Sequence, residues 1–244
     1  MARTRLDLLL VQRGLCPTRA QAQARIMAGE VLVADRPVTK AGTLVAEDAA
    51  LRLRGEPLRF VGRGGLKLEH GLTVFGLDPA GWVCFDAGAS TGGFTDCLLQ
   101  RGAARVYAVD VGTNQLHWRL RSDARVVAME RVNLRHWDPA RIPERCRLLV
   151  ADVSFISLRL VIPPLLPSLT PDADAVLLVK PQFEAGRDEV GAGGIVRDPL
   201  THQRVQQELW DFFQGTALKP RGLCESPILG GEGNKEFLMH LGLN

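Results

Sequence analysis

The sequence predicts an α/β protein, a doubly wound, Rossmann-like parallel sheet closed by a C-terminal antiparallel hairpin and preceded by a small α+β domain. Three observations carry this. Five short apolar runs, at 82–85, 106–109, 126–129, 148–150 and 175–179, alternate with helix-length segments and are bounded by Gly, Pro or Asp. Continuous apolar runs of that length read as strands covered on both faces, as a parallel sheet requires. Two further strand-like stretches, 222–227 and 236–241, follow a long helix near 199–215 and are separated by a Gly-rich turn. Ahead of residue 60 the rhythm is different, with two short helices and a hairpin.

In that head, Leu6-Asp-Leu-Leu-Leu-Val-Gln-Arg13 has the apolar spacing of a short helix closed by Gly14. Thr18-Arg-Ala-Gln21 has the capping-box form, which opens a second helix ending at Gly29. Residues 31–38 then read as strand, turn, strand. Charge divides at the same place. Residues 1–63 hold eleven Lys/Arg against six Asp/Glu, while the rest of the chain holds nineteen against twenty-one. A basic head on a near-neutral body predicts a polyanionic partner. Arg13, Arg19 and Arg25 are the candidate contacts to RNA phosphates, sharing one face. Phe60 is the head's one aromatic residue, so it is expected to read RNA backbone and shape rather than to stack single-stranded bases.

Composition excludes several classes. The chain has 244 residues, 46% hydrophobic and 23% charged, which suits one large domain with an appendage. No apolar run approaches the ~18 residues of a membrane span, and the start shows no secretory signal. Five dispersed cysteines, odd in number and without a C-x-x-C pair, argue for reduced thiols in a cytoplasm. His70, His117, His136, His202 and His240 have no ligand spacing with them, so no metal is expected.

The first strand of the larger domain runs into Asp86-Ala-Gly-Ala-Ser-Thr-Gly-Gly-Phe94. Strand, Gly-rich loop and helix let backbone N–H groups approach a ligand above the strand ends. The spacing from Gly88 is G-x-x-x-G-G, not the G-x-G-x-x-G that closes on a pyrophosphate, which argues against a nicotinamide oxidoreductase. Asp110 ends the second strand, where such folds place a carboxylate on ribose hydroxyls. A cofactor with a ribose and no phosphates fits both facts, and S-adenosylmethionine is one. The terminal hairpin is likewise the pattern of class I S-adenosylmethionine-dependent methyltransferases. Asp86, Gly88, Ala89, Ser90, Thr91, Gly92, Gly93 and Asp110 are the expected cofactor-binding residues. Asp152 and Lys180 close the fourth and fifth strands and are expected to meet at the same crevice. A desolvated lysine beside a second cation can deprotonate a hydroxyl. Lys67 is the candidate second cation, with Asp152 and Glu236 orienting the amines.

Five motifs occur in order: Arg63-Gly-Gly-Leu-Lys-Leu, Asp86-Ala-Gly-Ala-Ser-Thr-Gly-Gly-Phe-Thr, Ala151-Asp-Val-Ser-Phe-Ile-Ser-Leu, Val179-Lys-Pro-Gln-Phe-Glu and Gly233-Asn-Lys-Glu-Phe. Together they resemble the TlyA (haemolysin A) family. The resemblance implies an S-four-like (αL) RNA-binding domain over 1–58, a linker over 59–62 and an FtsJ-like methyltransferase domain over 63–244. It implies transfer from S-adenosylmethionine to the 2′-hydroxyl of a cytidine in large-subunit ribosomal RNA, with small-subunit RNA a further target. Ribosomal RNA or a ribosomal subunit is then the partner. The family's Lys-Asp-Lys-Glu tetrad falls on Lys67, Asp152, Lys180 and Glu236, with Lys180 as the base by analogy with related 2′-O-methyltransferases. Phe155 stands where some methyltransferases stack on the target base; the alternative is a core phenylalanine. Residues 58–61 occupy the family's linker position, where coupling between RNA and cofactor sites is expected. Residues 182–197 read equally as a lid that orders on RNA and as a plain loop. A chain end soon after the last strand points, within the family, to the large-subunit type. Two other readings stand beside these: an inactive RNA-binding protein of methyltransferase fold, and a membrane-active haemolysin, which the lack of a long amphipathic apolar segment opposes.

Overall fold

The computed structural model describes residues 3–54, 59–231 and 233–243, and of Arg187 the backbone alone. Leu58 of the expected linker, like residues 55–57, lies outside the described residues. The chain divides into two compact units, the first reaching Arg59 and the second starting at Phe60.

The first unit opens with β1 (Arg3–Arg5), α1 (Leu6–Gln12) and α2 (Arg19–Met27). Thr18 caps α2, its hydroxyl accepting from the Gln21 N–H at 3.2 Å, and Gly14 and Gly29 take the left-handed conformation past the two helix ends. β2 (Val31–Val33) and β3 (Arg36–Pro37) then form the expected hairpin. Ala34 and Asp35 both have positive φ in its turn, the mirror-image turn that matches strand twist. β4 (Leu44–Ala46) pairs with β1, and β5 (Leu51–Leu53) pairs with β2. Leu6, Leu9 and Leu10 of α1 are buried with Ala22 and Ile26 of α2 and Leu53 of β5.

Asp7 is the exception in this apolar core. It is fully buried, and its carboxylate accepts from Arg5 at 2.9 and 3.0 Å, from Arg19 at 2.9 Å and from Gln23 at 2.9 Å. The bonds from Arg5, together with those from Gln23 and Arg19, outweigh burial and hold the carboxyl well below the usual carboxylate range.

The second unit begins with α3 (Gly64–Phe75) and continues through β6 (Val83–Ala87), α4 (Gly93–Gln100), β7 (Arg105–Val109), α5 (Trp118–Arg121) and β8 (Val126–Met129). After β9 (Cys146–Ala151) come α6 (Leu158–Val161), β10 (Leu169–Val179) and α7 (Pro181–Glu184). α8 (Pro199–Gln214), β11 (Leu218–Glu225) and β12 (Phe237–Leu243) complete the chain. The seven strands form one sheet in the order β11-β12-β10-β9-β6-β7-β8. Pairing is parallel from β10 to β8, and β12 runs antiparallel to both its neighbours. The expected terminal hairpin is therefore present, with its later strand inserted next to β10. The larger boundary differences from the sequence reading fall in the C-terminal strands. β10 starts six residues early, at Leu169, and its register against β9 shifts between Leu169 and Asp174. β11 covers 218–225 rather than 222–227, and Glu236 sits just ahead of β12.

One buried carboxylate also pins the β10–β12 side of the sheet. Asp174 accepts from Arg147 at 2.8 Å, Arg221 at 3.1 Å and His240 Nε2 at 2.8 Å. Burial pushes this carboxyl up, but His240 and Arg147 more than offset it and hold it below its ordinary value. Among the described residues no helix is long and apolar enough to cross a membrane.

Replacing Asp7 with Asn should loosen α1 from α2 by about 2 kcal/mol, the scale of charge-assisted hydrogen bonds. Because the folded carboxyl lies below its unfolded value of 3.8, its stabilisation is complete above that value and fades as acidification proceeds below it. Hydrogen exchange over 6–27 in the full chain, wild type against variant at pH 7 and pH 3, should show a gap that narrows at the lower pH.

Candidate active site at the strand ends

Chain order reverses between β6 and β9, and such a reversal leaves a crevice at the carboxyl ends of the strands. The Asp152 N–H donates to Ala87 O at 2.9 Å across that switch point. The loop after β6 passes close beneath: Gly88 has φ +85, and a Cβ there would stand 2.6 Å from the Asp152 carbonyl oxygen. Gly93, first residue of α4, faces the start of α3, where a Cβ would come within 3.0 Å of the Gly65 nitrogen. Glycine is thus required for the strand-end loop and for the close approach of two helix starts. The resulting cleft is lined by Gly64, Gly88, Ala89, Ser90, Thr91 and Phe94, with Asp152 and Gly93.

Two of the expected cofactor carboxylates sit differently. Asp110 lies at the loop mouth and accepts from the Ser90 N–H at 2.8 Å and the Gly112 N–H at 2.7 Å. Asp86 is fully buried. Its Oδ2 accepts from the Thr95 hydroxyl at 2.6 Å, while its Oδ1 meets no donor among the described residues. Burial, with a smaller push from Asp152, raises this carboxyl to about 7 against the Thr95 bond.

The four candidate catalytic side chains form two ion pairs. Lys180 Nζ lies 2.5 Å from Asp152 Oδ1 and donates to Ser154 Oγ at 3.0 Å. Lys67 pairs with Glu236, and both are buried. The two pairs share a neighbourhood through α3: a Cβ on Gly64, one turn ahead of Lys67, would lie 3.6 Å from Asp152 Oδ2. Lys67, the expected second cation, is paired with Glu236, one of the two acids expected to orient the amines. Phe155 is no core residue. It is 90% exposed and holds a left-handed φ of +63°, a conformation that a bulky side chain seldom adopts. Its ring rests on Phe183, centroids 4.9 Å apart.

Residues 60–243 match the family of FtsJ-like methyltransferases, and residues 4–51 match the S4 domain. The chain is 46% identical over 240 residues to the 16S/23S rRNA (cytidine-2′-O)-methyltransferase TlyA of Mycobacterium tuberculosis, covering 98% of this chain and 90% of that one. This chain belongs to the TlyA family of FtsJ-like methyltransferases. A candidate rRNA methyltransferase of Bacillus subtilis, YqxC, is 51% identical, with 97% of this chain and 85% of that one covered. Among solved structures, a candidate hemolysin from Streptococcus thermophilus superposes with a TM-score of 0.78 at 46% identity, over 100% of this chain and 90% of that one.

In this TlyA-family chain the three arginines of the S4 unit are each engaged locally. Arg13 donates to the carbonyls of Ala49, at 2.6 Å, and Glu47. Arg19 holds Asp7, and Arg25 lies 4.0 Å from Glu30. Arg19 and Arg25 are six positions apart, about 120° around the axis of α2, so they do not share the single basic face expected of them. Residues that the sequence reading passed over also shape the TlyA-family site. Thr95 is the partner of Asp86, and Ser154 that of Lys180. Glu184 accepts from the Ser157 hydroxyl at 2.6 Å and the Leu158 N–H at 2.7 Å, tying the segment after Lys180 to the one after Phe155. Burial raises its carboxyl above the usual value. Ser154 and Glu184 lie inside quoted motifs, which was the available signal. The buried Asn234 holds the loop ahead of α8, accepting from the Val196 N–H and donating to Gly194 O, both at 2.9 Å.

The raised carboxyl of Asp86 sets a measurable pH dependence. Relative to an unfolded value of 3.8 and a folded value of about 7, its contribution is complete below the first and lost as pH rises through the second. Asp86→Asn should therefore match wild type in stability near pH 4 and exceed it by about 4 kcal/mol at pH 8. Urea midpoints of the ligand-free protein across that range measure the gap; a gap that does not change with pH would mean the carboxyl is ionised throughout.

Proposed function

We propose that this chain transfers a methyl group from S-adenosylmethionine to the ribose 2′-hydroxyl of a cytidine in large-subunit ribosomal RNA, with small-subunit RNA as a further target, as the name of the mycobacterial relative states for that protein. The observation that carries the reading is the Lys180–Asp152 pair, 2.5 Å apart at the ends of β10 and β9, between a glycine-loop cleft and an exposed phenylalanine. The residues present fit the cofactor. Asp86 Oδ1 is a buried acceptor awaiting a donor, which an ammonium group would supply, and Asp110 stands at the loop mouth for ribose hydroxyls. When bound, S-adenosylmethionine supplies a methyl group on a positively charged sulfur, open to attack by an oxygen.

The chain's own residues do the rest. Lys180 first releases its own extra proton to solvent, and the neutral amine then receives at Nζ the proton that the 2′-hydroxyl loses, while Asp152 and Ser154 hold that amine in place. Lys67 and Glu236 form a buried pair that fixes α3 against the residues leading into β12, so the cleft wall keeps its place. Phe155 offers its exposed face to the target base. The S4 unit holds RNA through phosphate contacts that weaken with salt.

The test is tritiated methyl transfer to purified large and small ribosomal subunits and to free ribosomal RNA. Wild type should label the ribose of a cytidine, and Lys180→Ala should lose at least about a hundredfold in rate, the scale of general-base catalysis, with cofactor affinity retained. A protein that binds cofactor and labels none of these RNAs would overturn the reading. For RNA affinity, Arg25→Glu is a cleaner probe than Arg19→Glu, which would also put a second carboxylate beside buried Asp7. It should weaken RNA binding severalfold at low salt and flatten the salt slope by about one unit, leaving cofactor affinity unchanged.

A further inference from the structure

Beside Lys180 lies an open cleft of about 510 Å³, lined by Phe155, Gln182, Phe183, Val190 and Gly191 among others, a volume within the ~300–1,000 Å³ of small-molecule sites. Two of its walls are aromatic. Phe155 stands almost wholly free in solvent with its ring on Phe183, and Phe183 in turn has Lys180 Nζ 5.8 Å from its ring centroid. A base stacked on these rings keeps its ribose near that amine. The third wall is polar. The amide oxygen of Gln182 is shielded from water and meets no donor among the described residues. An enclosed acceptor without a partner is unfavourable, so a turn of the Gln182 amide that brings this oxygen into the cleft and onto an incoming N–H group relieves what the free protein leaves unsatisfied.

The pyrimidines differ at the edge such an oxygen would meet. Cytosine presents an exocyclic amino group at position 4, a donor, where uracil presents a carbonyl oxygen, an acceptor. Two carbonyl oxygens facing each other share no proton. We propose that Gln182 reads the target base, its amide oxygen accepting from the 4-amino group of cytosine and so selecting cytidine over uridine. The inference rests on the ribose methyl transfer proposed above and names the residue that chooses the nucleotide. Gln182 stands two residues beyond Lys180 at the start of α7, so the segment that holds the proton acceptor also holds the reader.

The experiment first uses wild type to map the methylated position, then compares RNA carrying cytidine or uridine there. Wild type should favour cytidine by about tenfold or more, the scale of one base-edge contact. Gln182→Leu should lose about tenfold on cytidine, change little on uridine and bring the ratio near one, with cofactor affinity and melting temperature as in wild type. Gln182→Glu, which can only accept, should keep the cytidine rate within about threefold. A Leu variant that keeps the wild-type ratio overturns the inference. So does a Glu variant that falls with the Leu variant, since the side chain would then be donating. If the Leu variant fails to bind cofactor, the Glu variant decides alone. Wild type that methylates no RNA strikes down the transfer reading itself, a separate result from loss of selectivity in an active enzyme.

Discussion

The reversal of strand order between β6 and β9 is the constraint on which the rest of the molecule depends. Strands paired in parallel send their connections to opposite faces on either side of this point. The Asp86–Gly93 loop and the Asp152–Phe155 segment therefore emerge side by side with nothing laid across them. The hydrogen bond from Asp152 N–H to Ala87 O closes the bottom of that gap, and Gly88 leaves its wall bare. The two carboxylates Asp86 and Asp152 are thereby held close enough for one to raise the other. The candidate groups are concentrated here because the fold leaves an opening lined with strand ends.

Buried charge ties distant parts of the chain together elsewhere. Lys67 and Glu236 join the first helix of the second unit to its last hairpin, and Asp174 gathers Arg147, Arg221 and His240 from three strands. Asp7 does the same between two short helices. A buried pair adds little net stability over an apolar one, but losing one partner leaves an uncompensated charge. These clusters therefore specify which segments meet more than they strengthen the meeting. Each lies where the apolar pattern alone would permit slippage: at the first turn of a helix, or along strands of near-uniform aliphatic composition.

The strands were readable because a parallel sheet is covered on both faces, which forces the short apolar runs at 82–85, 106–109 and 148–150. The elements missed were short or irregular. β1, β4 and β5 have three residues each, too few for an alternation to show, and the early start of β10 is masked by Thr170, Pro171 and Asp172. At the site, residue identity named the candidate groups but not how they pair. That Lys67 is matched by Glu236 depends on where β12 inserts, a long-range fact with no local signature. The arginines of α2 failed for a simpler reason: a spacing of six does not return to one helix face. Gln182 and Ser154 lie inside quoted motifs, but an amide or hydroxyl gains meaning only from the partner it has or lacks, which the motif does not show.

Phe155 holds two unfavourable arrangements at once, a large apolar ring in water and a backbone that suits glycine or asparagine. Nothing in the packing of the free protein compensates for either beyond contact with one neighbouring ring. Selection for heat resistance alone would replace this residue early, and Phe155→Gly would be expected to yield a sturdier molecule. On the role proposed for its ring against the target base, position 155 is thus a place where durability and usefulness pull in opposite directions. Libraries screened only for survival of heating would converge on proteins whose scaffold is intact and whose working surface is gone.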